Sequence, residues 1–310
     1  MPSWYLKVAI QGTLSLLPQS HRWNYIFQRL VSKKLQLSAA YFEEKLALCV
    51  EHINYYDNYN SNSPSRIVEL GTGWLPIVPI GMALMQEAEI ISIDLTPLLR
   101  DQLVQETLAF FIRYADEGLL VQKLPRVKQS QVDKLRDALQ MVEEKGAEQA
   151  LALLGIRYYV GDARTFRLDD LDFFISNNTL EHIPGPVIKE IFQNFHSILG
   201  AKGLMSHLID LSDHYSQFDK NLTPYNFLKF SSNRWKPYNN KLQYQNRLRL
   251  SDYKTIHQEA GYEILSEDNK SASINLLDEI TLSPEFSTYT REDLAVTSSW
   301  IVSRPQRPTA

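Results

Sequence analysis

The stretch Arg66-Ile67-Val68-Glu69-Leu70-Gly71-Thr72-Gly73 decides how this chain is read. Its first five residues form a short apolar run closed by an acid and a leucine, which suits a buried strand. Two glycines then let the backbone turn sharply and approach a ligand without a Cβ in the way. The largely apolar residues from Trp74 to Gln86 predict a helix, with Pro76 and Pro79 at its opening or kinking it. Glu89 to Leu95 reads as a second strand, in which Ile90, Ile91 and Ile93 surround Asp94. Strand, glycine turn, helix, strand and terminal acid make a parallel α/β unit.

Working outward, the same signals recur. Ile156 to Val160, closed by Gly161-Asp162-Ala163, and Leu171 to Ser176 continue the sheet. A helix over Gly185 to Leu199 precedes a strand at Leu204 to Leu208. A helix over Tyr253 to Ala260 precedes the final strands, Tyr262 to Leu265 and Leu294 to Val302. The expected fold is an open, mostly parallel, seven-stranded sheet with helices on both faces.

Two helical regions fall outside that repeat. Residues 1–65 read as an N-terminal extension, helical over Trp23 to Tyr56 and joined to the core by the polar connector Asp57 to Ser65. Residues 98–154 read as an insertion, with helices over Leu98 to Tyr114 and Gln129 to Leu154. Its position after a strand end suits a cap over a substrate pocket, and its charged face equally suits an outer helical layer. The ligand-binding domain then covers 66–303, and 304–310 is a tail.

Composition narrows the function classes. With 44% hydrophobic and 22% charged residues the chain is that of a globular protein with a sizeable core, and its net charge of −4 gives no support for a nucleic-acid partner. Cys49 is the only cysteine, so neither an intrachain disulfide nor a thiolate metal cluster can form, and a cytoplasmic chain is expected. Met1 to Leu17 is interrupted by Lys7, Gln11, Thr13 and Ser15. It is too short to span a bilayer and is expected to pack on the body as an amphipathic helix.

An acid at the end of the second strand can accept hydrogen bonds from both ribose hydroxyls. The glycine turn has no following Lys-Ser/Thr of a phosphate loop, and Leu75 stands where a third glycine would mark a dinucleotide site. The pattern favours an adenosine ligand without a long phosphate chain.

These residues resemble the motifs of the class I S-adenosylmethionine (SAM)-dependent methyltransferases, in their small-molecule branch. Val68 to Gly73 is similar to the family's glycine-rich first motif and Ile93-Asp94 to its ribose-binding acid. Gly161-Asp162-Ala163 is similar to the adenine-binding segment, and Ser176 to Ile183 to the motif after the fourth strand. The resemblance covers roughly Arg66 to Val302 and implies a Rossmann-like methyltransferase fold. It implies that Glu69 organises the glycine loop, Gly71, Thr72 and Gly73 line the amino-acid moiety, and Asp94 holds the ribose. Asp162 and Ala163 would frame adenine, with Asn177 and Asn178 at the methionine part or the cofactor rim. The implied product is S-adenosylhomocysteine.

The expected reaction moves the methyl group to a small or medium organic acceptor. A peptide methyltransferase, an NAD-dependent oxidoreductase and a non-catalytic SAM-binding protein are the competing readings, and a homodimer is compatible with the sequence. Candidate acid–base or acceptor-orienting residues are His214, His182 and His207, with His214 placed first in a polar loop after the fifth strand. His207, Asp210, Asp213 and His214 lack the spacing of a helical zinc signature, and no metal is assigned. The aromatic stretch Tyr215 to Tyr244 reads either as an acceptor-pocket wall or as a loop anchored by aromatic core contacts. Arg247 and Arg249 read as anion contacts or as salt-bridge partners.

Overall fold

The computed structural model describes residues 4, 5, 8, 37–240 and 244–307. Its strands are β1 (Arg66–Leu70), β2 (Glu89–Asp94), β3 (Ile156–Val160), β4 (Leu171–Asn177), β5 (Leu199–Asp210), β6 (Tyr262–Ser271) and β7 (Val296–Pro305). They form one seven-stranded sheet in the order β3-β2-β1-β4-β5-β7-β6. The pairs from β3 through β5 are parallel, and β7 is antiparallel to both β5 and β6. This is an open, mostly parallel, Rossmann-like sheet with helices on both faces. The strand order reverses beside β1, between β2 and β4, and that switch point opens a crevice at the strand C-termini.

Among the described residues, the helices of two turns or more are α1 (Ala39–Tyr59), α2 (Ile77–Met85), α3 (Asp101–Asp116), α4 (Lys134–Lys145), α5 (Ala147–Leu153), α6 (Gly185–Ile198) and α7 (Leu250–Glu259). Side chains alternate across the strands and divide the core in two. Ile67, Ile90, Phe173 and Ile175 face α1 to α5, where Phe42, Leu46, Ile80, Leu108, Phe111 and Leu135 complete one layer. Val68, Ile91, Phe174 and Met205 face α6 and α7, against Ile188, Phe192, Phe195 and Tyr253.

Several expectations change here. Of the two readings of 98–154, the packing agrees with the outer layer: Val104, Leu108, Val142 and Leu151 are buried in the same layer as α1 and α2. The amphipathic pattern of α3 and α4 is satisfied by covering the sheet, and Gly146, with φ at +91°, separates α4 from α5. Helix α1 joins this core through Phe42, Leu46, Cys49, Ile53 and Tyr56, so the boundary at residue 65 does not divide the packing. Most of the extension before it, including most of the amphipathic segment at 1–17, lies outside the described residues. The tail begins later than expected, because β7 runs to Pro305 and Arg307 donates to the carbonyls of His196 and Leu199. Among the described residues no helix is long and apolar enough to cross a membrane.

Much of the stretch 215–240 belongs to a third core. Tyr215, Tyr225, Phe227 and Trp235 are buried together with Leu277, Phe286 and Leu294. Its aromatics therefore anchor the loop rather than wall a pocket.

Candidate functional site

The glycine turn leaves β1 directly into the switch-point crevice. Gly71 has φ at +80°, and a Cβ built on it would lie 2.4 Å from Thr179 Cγ2 and Oγ1. Both the backbone conformation and the contact demand glycine. Gly73 has φ at +75°, yet nothing lies within 4 Å of where its Cβ would be. One glycine lets the turn press against the loop after β4, and the other keeps space open in front of the turn.

Two buried carboxylates border that space. Glu69 accepts a hydrogen bond from Thr72 Oγ1 at 2.7 Å. Burial pushes its pKa up to about 7, Thr72 opposes the shift, and the charge of Asp94 adds to it. Asp94 accepts from the Gly73 N–H at 3.2 Å and from Tyr158 Oη at 3.1 Å. Burial raises it to about 6, against the pull of those two donors.

This pocket suits an adenosine ligand. A carboxylate has about four acceptor positions, so Asp94, with two protein donors, retains capacity for ribose hydroxyls. Leu95 is 73% exposed and Val160 is 41% exposed at the same sheet edge, where Asp94 pairs with Val160. Two bare apolar side chains beside the acid suit the faces of a flat base. Ala163 is buried, whereas the Asp162 carboxylate is taken up by Arg164, whose Nη2 lies 2.6 Å away. Adenine recognition by Asp162 would require that pair to open or share.

The segment after β4 is held from both sides. Asn178, with φ at +50°, donates its backbone N–H to Leu208 at 2.8 Å. Asn177 Oδ1 lies 3.1 Å from His52 Nε2, while His52 Nδ1 lies 2.8 Å from Ser206 Oγ. Trp300 Nε1 donates to that same Ser206 oxygen at 2.7 Å. The Asn177 amide oxygen only accepts, so the neutral His52 ring carries its proton on Nε2, and Nδ1 accepts from the Ser206 hydroxyl, whose oxygen takes the indole N–H. Burial pushes His52 down to about 3 and keeps it neutral. The Asn177 side chain in turn helps to favour the charged form of Glu69.

The three candidate histidines part company. His207 is fully buried, 2.8 Å from Ser176 Oγ and stacked on Phe192. It points into the sheet core, so its place on β5 removes it from contact with an acceptor. Burial lowers its pKa strongly. His182 and His214 do meet, with ring centroids 5.1 Å apart. His182 Nδ1 lies 2.7 Å from the Tyr244 carbonyl. His214 Nε2 lies 3.2 Å from Asp210 Oδ2. Burial raises the Asp210 pKa, but hydrogen bonds from His214 and Ser212 outweigh it and leave the carboxyl below its usual range. Asp213 is a scaffold residue: it accepts from Asn226 Nδ2 and from the Tyr215 N–H.

Two residues of this region escaped the sequence reading, His52 and Glu181. Glu181 is 1% exposed, and neither carboxylate oxygen makes a hydrogen bond of normal geometry. Burial raises its pKa strongly, with Asp210 adding to the rise and the nearby N–H groups of Glu181 and Asp210 opposing it. The Asn246 side chain clamps this turn by donating to the carbonyls of Leu180 and Ile183. Arg247 and Arg249 are structural: Arg247 donates to the carbonyls of Phe227 and Phe230, and Arg249 to that of Leu211. A groove of about 800 Å³ lined by Leu250, Asp252, Lys254 and Asp293 lies at β6 and α7 and shares no residue with the glycine-turn crevice.

No family model matches the chain, and no curated protein matches it. Solved structures of similar fold include a Nostoc punctiforme protein assigned as an O-methyltransferase, at 11% identity and a TM-score of 0.42 over 83% of this chain. This chain spans 56% of that protein, little more than half its length. A TehB-like SAM-dependent methyltransferase of Corynebacterium glutamicum is 14% identical, with a TM-score of 0.42 over 93% of this chain and 100% of the other. A SAM-dependent methyltransferase of Clostridium acetobutylicum is 9% identical, with a TM-score of 0.45 over 93% of this chain and 99% of the other.

Proposed function

We propose that this chain binds SAM at the glycine turn and transfers its methyl group to a small or medium organic acceptor. The observation that carries the reading is the pairing of Asp94 with the open turn. A buried carboxylate ends β2, it is held by Gly73 and Tyr158, and it faces the space that Gly73 leaves free. SAM supplies an already activated methyl group, so the protein has to position and desolvate rather than form a covalent intermediate.

The geometry supports the following division of labour in this reading. Asp94 accepts from the ribose, Leu95 and Val160 flank the base, and Glu69 faces the ammonium of the methionine part. Asn177, oriented by His52, sits beside Glu69. On the acceptor side, His214 braced by Asp210 is the group that orients the acceptor or takes its proton. The partner in this reading is a diffusible organic molecule met in the cytoplasm.

An acceptor screen that follows S-adenosylhomocysteine release and identifies the product by mass tests the proposal. Product formed in step with release, and reduced at sub-saturating SAM in Asp94→Ala, supports it. SAM binding without turnover on any organic or peptide acceptor would favour a non-catalytic SAM-binding protein.

A further inference from the structure

We infer that Glu181, His182 and His214 form a binding site for a divalent transition-metal cation beside the C-terminal ends of β4 and β5. One potential ligand atom from each residue lies within 4.8 Å of those of the other two. Residues 32 positions apart along the chain are thereby brought to one point by the turn after β4 and the loop after β5.

The second observation concerns Glu181 itself. Its carboxylate is buried and neither oxygen has a hydrogen-bond partner. A buried, unpartnered carboxylate is costly unless it ligates a cation or stays protonated. Its two neighbours in the cluster are imidazoles rather than lysine or arginine.

The third observation is orientation. The Tyr244 carbonyl can only accept, so the neutral His182 ring carries its proton on Nδ1, and Nε2 is its basic nitrogen. A carbonyl on one ring nitrogen and a metal on the other is the usual arrangement of a ligating histidine. His214 is braced comparably by the Asp210 carboxylate. Two imidazoles with one carboxylate favour the manganese-to-zinc series over magnesium or calcium. Three protein ligands leave positions open for water or for an oxygen of a small molecule. Cation binding here does not require methyl transfer, and because the site shares His214 with the proposed acceptor side, a bound cation and His214 acting as a proton acceptor exclude one another.

The test is titration of the chelator-stripped full chain with Co²⁺ alone, read by visible absorption and by broadening of histidine ring signals in NMR. The expected result is a band that saturates at one equivalent and is displaced by Zn²⁺, with the signals of His182 and His214 broadened and that of His196 unaffected. His182→Ala and His214→Ala should each weaken binding by tenfold or more, whereas His196→Ala should not change it. Absence of a stoichiometric band in the wild-type chain would overturn the site. So would unchanged affinity in both alanine variants, or broadening that spares His182 and His214.

Discussion

His52 Nε2, on α1, lies 3.1 Å from Asn177 Oδ1 at the end of β4, and through it Trp300 on β7 is linked to the cofactor side of the crevice. The linkage is a neutral hydrogen-bond chain inside the core, where a missing partner is costly. His52→Ala should therefore lower stability by about 1–3 kcal/mol and also weaken SAM binding, although His52 does not border the turn. Chemical denaturation and calorimetry on the same protein check this; a stability loss with unchanged SAM affinity would reduce His52 to packing.

The two glycines of the turn should respond differently to alanine. Gly71→Ala meets Thr179 at 2.4 Å, so its main effect is on folding, with a loss of about 1–3 kcal/mol. Gly73→Ala meets no protein atom and carries the φ strain alone, but its methyl enters the ligand space. Thermal melts and binding curves should show the larger stability loss at 71 and an affinity loss beyond the stability loss at 73. Equal losses at both positions would argue against a ligand in front of Gly73.

Glu69 is raised to about 7 and Asp94 to about 6, both chiefly by burial. A raised folded-state pKa favours the protonated group, so this contribution to stability is full below the unfolded values and is lost as pH rises through about 6 and then about 7. A ligand offering an ammonium and two hydroxyls favours the ionised forms. Binding near pH 6 should release protons, and affinity should rise across that window. Calorimetry in two buffers of different ionisation enthalpy measures the release; proton uptake would contradict the assignment.

His214→Ala should retain the fold and SAM affinity yet slow single-turnover methyl transfer by roughly 10²–10⁴-fold. His207→Ala opens a hole between Ser176 and Phe192 and should cost stability while leaving the transfer step of the folded fraction intact. A rate loss specific to position 207 would reverse these roles.

The parallel half of the sheet was legible because β1 to β3 are short runs closed by an acid or a following glycine, and β4 is an apolar run closed by Asn177-Asn178. The edge was less so: β6 continues past Leu265 through Glu267, Asp268, Asn269 and Lys270, polar residues that an edge strand tolerates on its uncovered side. Glu69, Gly71, Gly73 and Asp94 stood out because their roles are set within one strand–turn–strand unit. His52 and Glu181 did not, since their partners are set by packing. His52 meets residues 125 and 154 positions away, and the Glu181–His182 pair meets His214 only once β4 and β5 lie side by side. The 98–154 stretch stayed open between two readings, because a charged helix face looks the same on a cap and on an outer layer.

If Asp94 and the glycine turn hold SAM, calorimetric titration of wild-type and Asp94→Ala chains with SAM and, separately, NAD will show it. One-to-one SAM binding is expected, weakened in the variant by about 1.5–3 kcal/mol, the worth of a charged hydrogen-bonding contact, with no comparable NAD binding. Binding of NAD but not SAM to the folded wild-type chain, or SAM binding indifferent to Asp94→Ala, would contradict it.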